Sequence, residues 1–277
     1  MELSCTSFSF PLLSFDDAAK VIALIGIPRL DVGAHQGGCH IQPSEIEENP
    51  AEVAARINHA VQAAGLRVSD LFATFGEGFR DRPANSLLPA ECEANQRRLR
   101  ALVEVAKGIG ASGVSLLPGV VWDEIGQERS FDLAVRELTR LVPIAHDAGL
   151  RFSVEAHIES VAETPEQALA LVQQVPGLQL TLDYSHFIAN GYQPADVHPL
   201  VPYAGHFHAR QARPGALQES HRNGTLDFAD IVGRLRAANY QGDIAIEYTW
   251  QDWRGANNVD VMMESILLRD QLRQYLG

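Results

Sequence analysis

The stretch "LQLTLDYSHFIANG", residues 178–191, begins as a buried strand and ends as something else. Leu180 and Leu182 alternate with Thr181 and Asp183, the period-two pattern of a strand with one apolar face. The apolar pattern stops at a carboxylate, Asp183, and an imidazole, His186, follows three residues later. What that ending means depends on whether other strands of the chain end the same way.

Reading outward for period, strands are expected around 3–10, 28–34 ("PRLDVGA"), 67–75 ("RVSDLFATF"), 112–117 ("SGVSLL"), 150–156 ("LRFSVEA"), 178–183, 204–209 ("AGHFHA") and 242–248 ("GDIAIEY"). Helical patterns fall between them at 15–25, 50–64, 90–109, 130–148, 165–175, a short one near 195–203, 227–239 and 257–275. Gly26, Gly65, Gly110 and Gly149 each follow a helix, where a left-handed residue ends it, and Thr164 before Pro165 is an N-cap with proline in the first turn. No linker or low-complexity stretch divides the chain. Eight strand–helix units in series predict a single (β/α)8 TIM barrel domain over residues 1–277, because parallel strands need right-handed crossovers and eight of them close.

Composition agrees with one sizeable core. The chain has 277 residues, 46% hydrophobic and 21% charged, which is ordinary for a soluble globular protein and unlike a disordered one. No apolar run approaches the roughly 20 residues that a bilayer span needs, so no membrane partner is expected. The N-terminal "MELSCTSFSFPLLSFDD" lacks a basic start and meets Asp16 and Asp17 at once, so it reads as a first strand and helix start rather than a signal peptide. Cys5, Cys39 and Cys92 form no C-x-x-C pair and suggest neither a disulfide framework nor a thiolate zinc site; a cytoplasmic location is the default. The formal charge of −13 repels a phosphate backbone and argues against nucleic acid.

Strand phase sharpens the barrel. If Glu155 points inward, so do Ser153 and His157, while Phe152 and Val154 face the helices. In the same way Thr181 and Asp183, His206 and His208, and Asp243, Ala245 and Glu247 point inward; Leu180, Leu182, Phe207, Ile244, Ile246 and Tyr248 point outward. The interior of these four strands is thus unusually polar for a fold that normally fills its axis with Val, Ile and Leu.

Strands five to eight each end in a hard ligand: Glu155, Asp183, His208 and Glu247. Strand C-termini of such barrels open onto the face that carries active sites. Taken singly each residue has a plain structural alternative: a loop cap for Glu155, the N-cap of a following turn for Asp183, a core histidine for His208, a salt bridge to Arg210 or Arg213 for Glu247. Together, three carboxylates and an imidazole at one strand phase repel each other unless neutralised, and a divalent cation is the simplest neutraliser. Oxygen-rich ligation with one histidine suits Mn²⁺ or Mg²⁺, with Co²⁺ or Zn²⁺ as further choices.

The order "SVEAH", "LDYSH", "HFHAR" and "GDIAIEY", with "NGTLDFADIVGRLRAANYQG" leading into the last, resembles the xylose isomerase-like TIM barrel superfamily of sugar phosphate isomerases and epimerases. That group includes ketose 3-epimerases, hydroxypyruvate isomerases, inosose dehydratases and the endonuclease IV branch. The resemblance covers essentially the whole chain and is most specific over 150–250. It implies that Glu155, Asp183, His208 and Glu247 hold the metal, that His186 and Arg210 or Arg213 hold substrate, and that homodimers or homotetramers form. It implies a metal-dependent isomerase or epimerase acting on a small ketose or related keto-sugar through an enediolate, with Glu155 and Glu247 as base and acid. The chain differs from ketose 3-epimerases at Val161, where those enzymes carry a glutamate; His157 and Glu159 stand nearby instead, which opens the way to an oxidised or carboxylated sugar. By phase His157 is a candidate substrate contact, and His206 supports His208 from behind. Trp122, Phe75, Trp250 and Trp253 are candidate pocket walls, and the long loop carrying Arg213, Gly215 and Gly224 is a candidate lid.

A metal-dependent dehydratase of a keto-sugar or inosose uses the same ligands and is the first alternative. An endonuclease IV-like phosphodiesterase is less favoured: the stretch "RPGALQESHRNGTLD" has no D-x-H, and strand three ends in "TFGEG" without histidine. A non-catalytic sugar-binding barrel leaves the ligand set without a use. The face of helix 90–109 that carries Arg97, Arg98 and Arg100 is read as solvated.

Overall fold

In the computed structural model, which describes residues 1–35 and 39–276, eight parallel strands close into a barrel in chain order. They are β1 (Leu3–Thr6), β2 (Arg29–Ala34), β3 (Arg67–Ala73), β4 (Gly113–Leu116), β5 (Arg151–Glu155), β6 (Gln179–Asp183), β7 (Ala204–Ala209) and β8 (Ile244–Ile246). Closure comes from β8 pairing parallel with β1, Ala245 opposite Ser4. The principal outer helices are α1 (Phe15–Leu24), α3 (Pro50–Ala63), α4 (Pro89–Gly108), α5 (Gly126–His146), α6 (Pro165–Gln174), α9 (Phe228–Ala237) and α10 (Val261–Leu276). Short helices α2 (Pro43–Glu48), α7 (Tyr184–Ala189) and α8 (Pro194–Val197) fill the connections. Among the described residues no helix is long and apolar enough to cross a membrane.

The expected TIM barrel is therefore present, with local differences that have physical causes. The strand expected over 3–10 stops at Thr6 and a 3-10 turn, Ser7–Ser9, follows. Hydroxyls bring this about: Thr6 Oγ1 and Ser9 Oγ lie 2.7 Å apart in a hydrogen bond, and Ser7 Oγ accepts the Gly33 N–H at 3.0 Å. A Cβ at Gly33 would lie 2.4 Å from Phe8 Cδ1, so the glycine allows the Phe8 ring to lie against β2. The helix expected over 195–203 divides into α8 and a 3-10 turn, His198–Tyr203, at the Pro199 and Pro202 positions. In α4, Arg97 and Arg100 are solvated as expected, but Arg98 is buried, its Nε 2.7 Å from Glu47 Oε2 and its Nη1 donating to the Phe75 carbonyl.

The two faces of the barrel wall differ as the strand phases require. Phe152, Val154, Leu180, Leu182, Phe207, Ile244, Ile246 and Tyr248 are each at most 1% exposed in the apolar layer beneath the helices. Inside the barrel, hydrogen bonds replace aliphatic packing. Thr181 Oγ1 donates to Ser115 Oγ at 2.7 Å, which donates to Asp70 Oδ2 at 2.5 Å. Ser4 donates to Asp31 Oδ1, and His206 Nε2 meets Asp31 Oδ2 at 2.5 Å. Every member is buried, and among their polar side-chain atoms Asp70 Oδ1 and His206 Nδ1 are without a hydrogen bond.

Phe152→Ala removes a fully buried ring and is expected to cost about 3–5 kcal/mol, read as a loss in chemical denaturation. Asp31→Ala strands the Ser4 hydroxyl and the His206 ring, and about 1–3 kcal/mol per stranded group is expected on the same measurement. A loss below 1 kcal/mol for Asp31→Ala would mean that water enters the barrel axis and replaces the carboxylate.

Candidate active site

At the C-terminal mouth of the barrel, the ends of β5 to β8 place Glu155, Asp183, His208 and Glu247 around one polar floor, all four buried. Glu155 and Asp183 are the last residues of their strands. Glu247 follows β8 and keeps its phase because its N–H still donates to the Ala209 carbonyl at 3.0 Å. His206, His208 and Arg210 alternate along and just beyond β7, so all three reach the barrel interior.

Three of the four form one cluster. Donor atoms of Glu155, His208 and Glu247 lie within 4.8 Å of one another. His208 Nδ1 is 2.9 Å from Glu155 Oε1 and 2.8 Å from Glu247 Oε2. One N–H can be given to one acceptor; the geometry gives it to Glu155 and leaves Glu247 Oε2 buried without a hydrogen bond. His208 Nε2 is likewise without one, 3.6 Å from Asp31 Oδ2. Glu155 Oε1 and the orphaned Glu247 Oε2 converge on His208 Nδ1, and two carboxylate oxygens and an imidazole nitrogen so close together are what a divalent cation would satisfy, so Glu155, His208 and Glu247 fit such an ion.

Asp183 bonds to different partners. Its Oδ1 accepts the Ser185 N–H at 2.8 Å, capping α7, and its Oδ2 accepts Arg210 Nη2 at 2.8 Å. Arg210 is only 2% exposed; its Nε donates to Ser185 Oγ at 2.8 Å and its Nη1 lies 3.6 Å from Glu247 Oε1. His186 completes this side, with Nε2 3.1 Å from Arg210 Nη2 and Nδ1 3.3 Å from the Ile158 N–H. A neutral imidazole has one acceptor nitrogen, so His186 takes one of these two bonds at a time.

These surroundings split the proton affinities of the two glutamates. Burial and the charge of Glu247 raise Glu155 to about 7, against the pull of His208. Burial also pushes Glu247 upward, but Arg210 and His208 outweigh it and hold it down at about 2. Burial disfavours a charged His208, yet Glu247, Asp31 and Glu155 together raise it well above the usual histidine range. His186 is lowered, by burial first and then by the neighbouring cations, and is neutral.

Above the floor opens a cleft with a cavity of about 240 Å³ that reaches Glu155, His157, His186, Arg210 and Glu247. Its walls are largely aromatic. His157 stacks on Trp253 at 5.0 Å and 21°, Phe79 lies 4.7 Å from His157, and His35 stands edge-on to Phe8 and Phe72. Of the residues singled out in the sequence, His157, His186, Arg210, Trp250 and Trp253 line this cleft. Arg213 does not: it is half exposed and bonded through Nε to Glu219 Oε2 at 2.7 Å. Trp122 is turned away as well, with Nε1 donating to the Asn85 carbonyl at 2.8 Å. The loop after β7 is fastened down rather than free, since Gln218 donates to the Thr249 and Ala256 carbonyls and accepts the Thr249 N–H at 2.7 Å.

Sequence reading missed Asp31, Phe72, Phe79 and Phe8. The first two follow from extending strand phase to β2 and β3; Phe79 and Phe8 lie on irregular segments whose direction no period reports.

Solved structures with this architecture are numerous in kind. D-psicose 3-epimerase with D-tagatose from Clostridium cellulolyticum H10 superposes with a TM-score of 0.78 at 14% identity, covering 100% of both chains. The probable 3-DHS dehydratase AsbF of Bacillus anthracis gives 0.72 at 16% identity over 99% of each chain. An IolI protein with a bound zinc atom gives 0.72 at 16% identity over 99% of this chain and 96% of its own. At such identities the likeness is one of fold. No curated protein sequence matches the chain. Residues 36–271 match the family model described as xylose isomerase-like TIM barrel, and the chain belongs to that family.

Proposed function

We propose that the protein is a divalent-metal-dependent isomerase or epimerase that moves a proton next to the carbonyl of a ketose or related keto-sugar. The observation that carries this reading is the pair Glu155 and Glu247, both buried, both lining the cleft and both within 2.9 Å of one nitrogen of His208. Two carboxylates brought together on a cleft floor are a common arrangement for an acid and a base working on one substrate. The family membership and the epimerases and dehydratases among the structural neighbours support it.

Glu155, His208 and Glu247 would hold the ion, which when bound supplies Lewis-acid polarisation of the substrate carbonyl. Manganese or magnesium suits two carboxylates and one imidazole. The protein's own part is proton handling and orientation. One glutamate takes the proton from the carbon beside the carbonyl and the other returns one, to the opposite face of that carbon for epimerisation or to its neighbour for isomerisation. Neutral His186 and Arg210 face the cleft beside them and are placed to donate hydrogen bonds to the oxygens that gain charge. The aromatic walls exclude water and offer ring faces to the C–H surface of a sugar. A dehydratase uses the same acid and base and differs in losing a hydroxyl after proton abstraction.

With Mn²⁺-loaded protein in D₂O and a panel of free ketoses, keto-acid sugars and inososes, the proton NMR signal beside one carbonyl is expected to disappear. Glu155→Gln and Glu247→Gln should each slow that exchange by about 10²–10⁴-fold while the fold, read by circular dichroism, is retained. The product in the same spectrum tells isomerase, epimerase and dehydratase apart. Exchange undiminished in both variants would remove the acid–base reading.

Chelation with EDTA should stop the exchange, and Mn²⁺ should restore it. Trp253→Ala removes the ring stacked on His157 and is expected to raise KM about 2- to 10-fold with little change in kcat, whereas Arg213→Ala, outside the cleft, should leave both unchanged.

A further inference from the structure

We infer that Arg210 takes the place of a ligand partner for Asp183, so that the metal of this protein is held by three side chains, Glu155, His208 and Glu247, with Asp183 withheld. This rests on the metal-dependent reading above and departs from the four-ligand set that the strand-end pattern suggests. Each Asp183 oxygen already accepts a hydrogen bond, one from the Ser185 N–H and one from Arg210 Nη2, each at 2.8 Å, and the second brings a fixed positive charge against the oxygen that an ion would otherwise approach. The guanidinium stands between Asp183 and Glu247, 3.6 Å from Glu247 Oε1, while the other Glu247 oxygen faces His208. Glu247 therefore divides its two oxygens between the arginine and the metal cluster.

Arg210 is anchored in that position. It follows His206 and His208 at two-residue spacing, which aims it inward, and Ser185 Oγ holds its Nε at 2.8 Å. A planar guanidinium with fixed donors suits a carboxylate at this depth better than a mobile ammonium would. Charge balance favours the arrangement. Glu155, Asp183 and Glu247 carry three negative charges; one guanidinium and one divalent ion cancel them with His208 neutral. Without Arg210 the same cluster holds one uncompensated negative charge, which draws a cation in and frees Asp183 to bind it. Glu155 and Glu247 also line the cleft, so an ion held by them would be within reach of a substrate.

The measurement is Mn²⁺ affinity by isothermal titration calorimetry, with Mn²⁺ electron spin resonance as a second reading of bound ion. Glu247→Gln should weaken binding about 100-fold or more, whereas Asp183→Asn, which keeps the Ser185 cap, should stay within about 3-fold of the parent protein. Arg210→Met should bind about tenfold tighter, a gain that vanishes in the Arg210→Met, Asp183→Asn double variant. Loss of affinity in Asp183→Asn as large as in Glu247→Gln overturns the proposal, as does a parent protein that binds no divalent ion. If Arg210→Met does not fold, Arg210→Gln replaces it, and the Asp183→Asn comparison decides alone. Because affinity is read without substrate, this pattern can hold even where no sugar exchanges a proton, and proton exchange can be found where this pattern fails.

Discussion

Everything at the mouth of this barrel follows from three buried carboxylates within reach of one another. Glu155, Asp183 and Glu247 are each at most 6% exposed, and isolated charges cannot be kept at such depth without partners. The chain supplies two partners of its own. Arg210 holds Asp183 and approaches Glu247; His208 lies between Glu155 and Glu247. The two cations do different things. Arg210 is permanently charged and fixes one side of the site, whereas His208 is a titratable group that offers a nitrogen ligand once it loses its proton. The asymmetry of Glu155 and Glu247 arises here too, since Arg210 lies against one and not the other.

The polar axis beneath explains how such a floor is kept in place. The Thr181–Ser115–Asp70 chain and the Ser4–Asp31–His206 group tie six strands together across the interior, β1, β2, β3, β4, β6 and β7. Each link has a preferred direction, so a strand cannot slide without breaking bonds in a place water does not readily reach. Asp31 also faces His208 Nε2 at 3.6 Å and so governs, through charge, how that ring stands. The hydrophobic stabilisation sits outside this axis, in the layer between strands and helices, where Phe152, Leu180 and Phe207 are packed. Stability and site geometry are thus carried by opposite faces of the same strands.

This division is why so much could be read from sequence. Period two in 150–156, 178–183 and 204–209 carries both facts at once: which face is apolar and which residue ends the strand toward the mouth. Helix stops such as Gly110 and Gly149 take positive φ where they were expected. What phase does not carry is competition. Asp183 reads equally well as a ligand and as an N-cap; the structure uses one oxygen as the cap and gives the other to Arg210. Arg213 and Arg210 are both arginines just beyond an H-x-H strand, and only the two-residue step from His208 distinguishes the one that points inward. Segments without a period, the Ser7–Ser9 turn and the 74–88 loop, hid Phe8 and Phe79 for the same reason.

The cleft shape follows from those irregular segments and bears on what can enter. Within the described residues, the side chains that reach it are aromatic or neutral apart from Glu77, Glu155 and Glu247 against Arg210, with the histidines between. The charge of Arg210 is already balanced by Asp183 and Glu247, so a strongly anionic group would find no excess positive charge on the cleft floor and two carboxylates close by. Field and packing therefore favour an uncharged polar molecule near the floor over an anionic one. The wall formed by Phe79, His157 and Trp253 lies on the His186 side, so that side of the cleft is bounded by stacked rings rather than by charge.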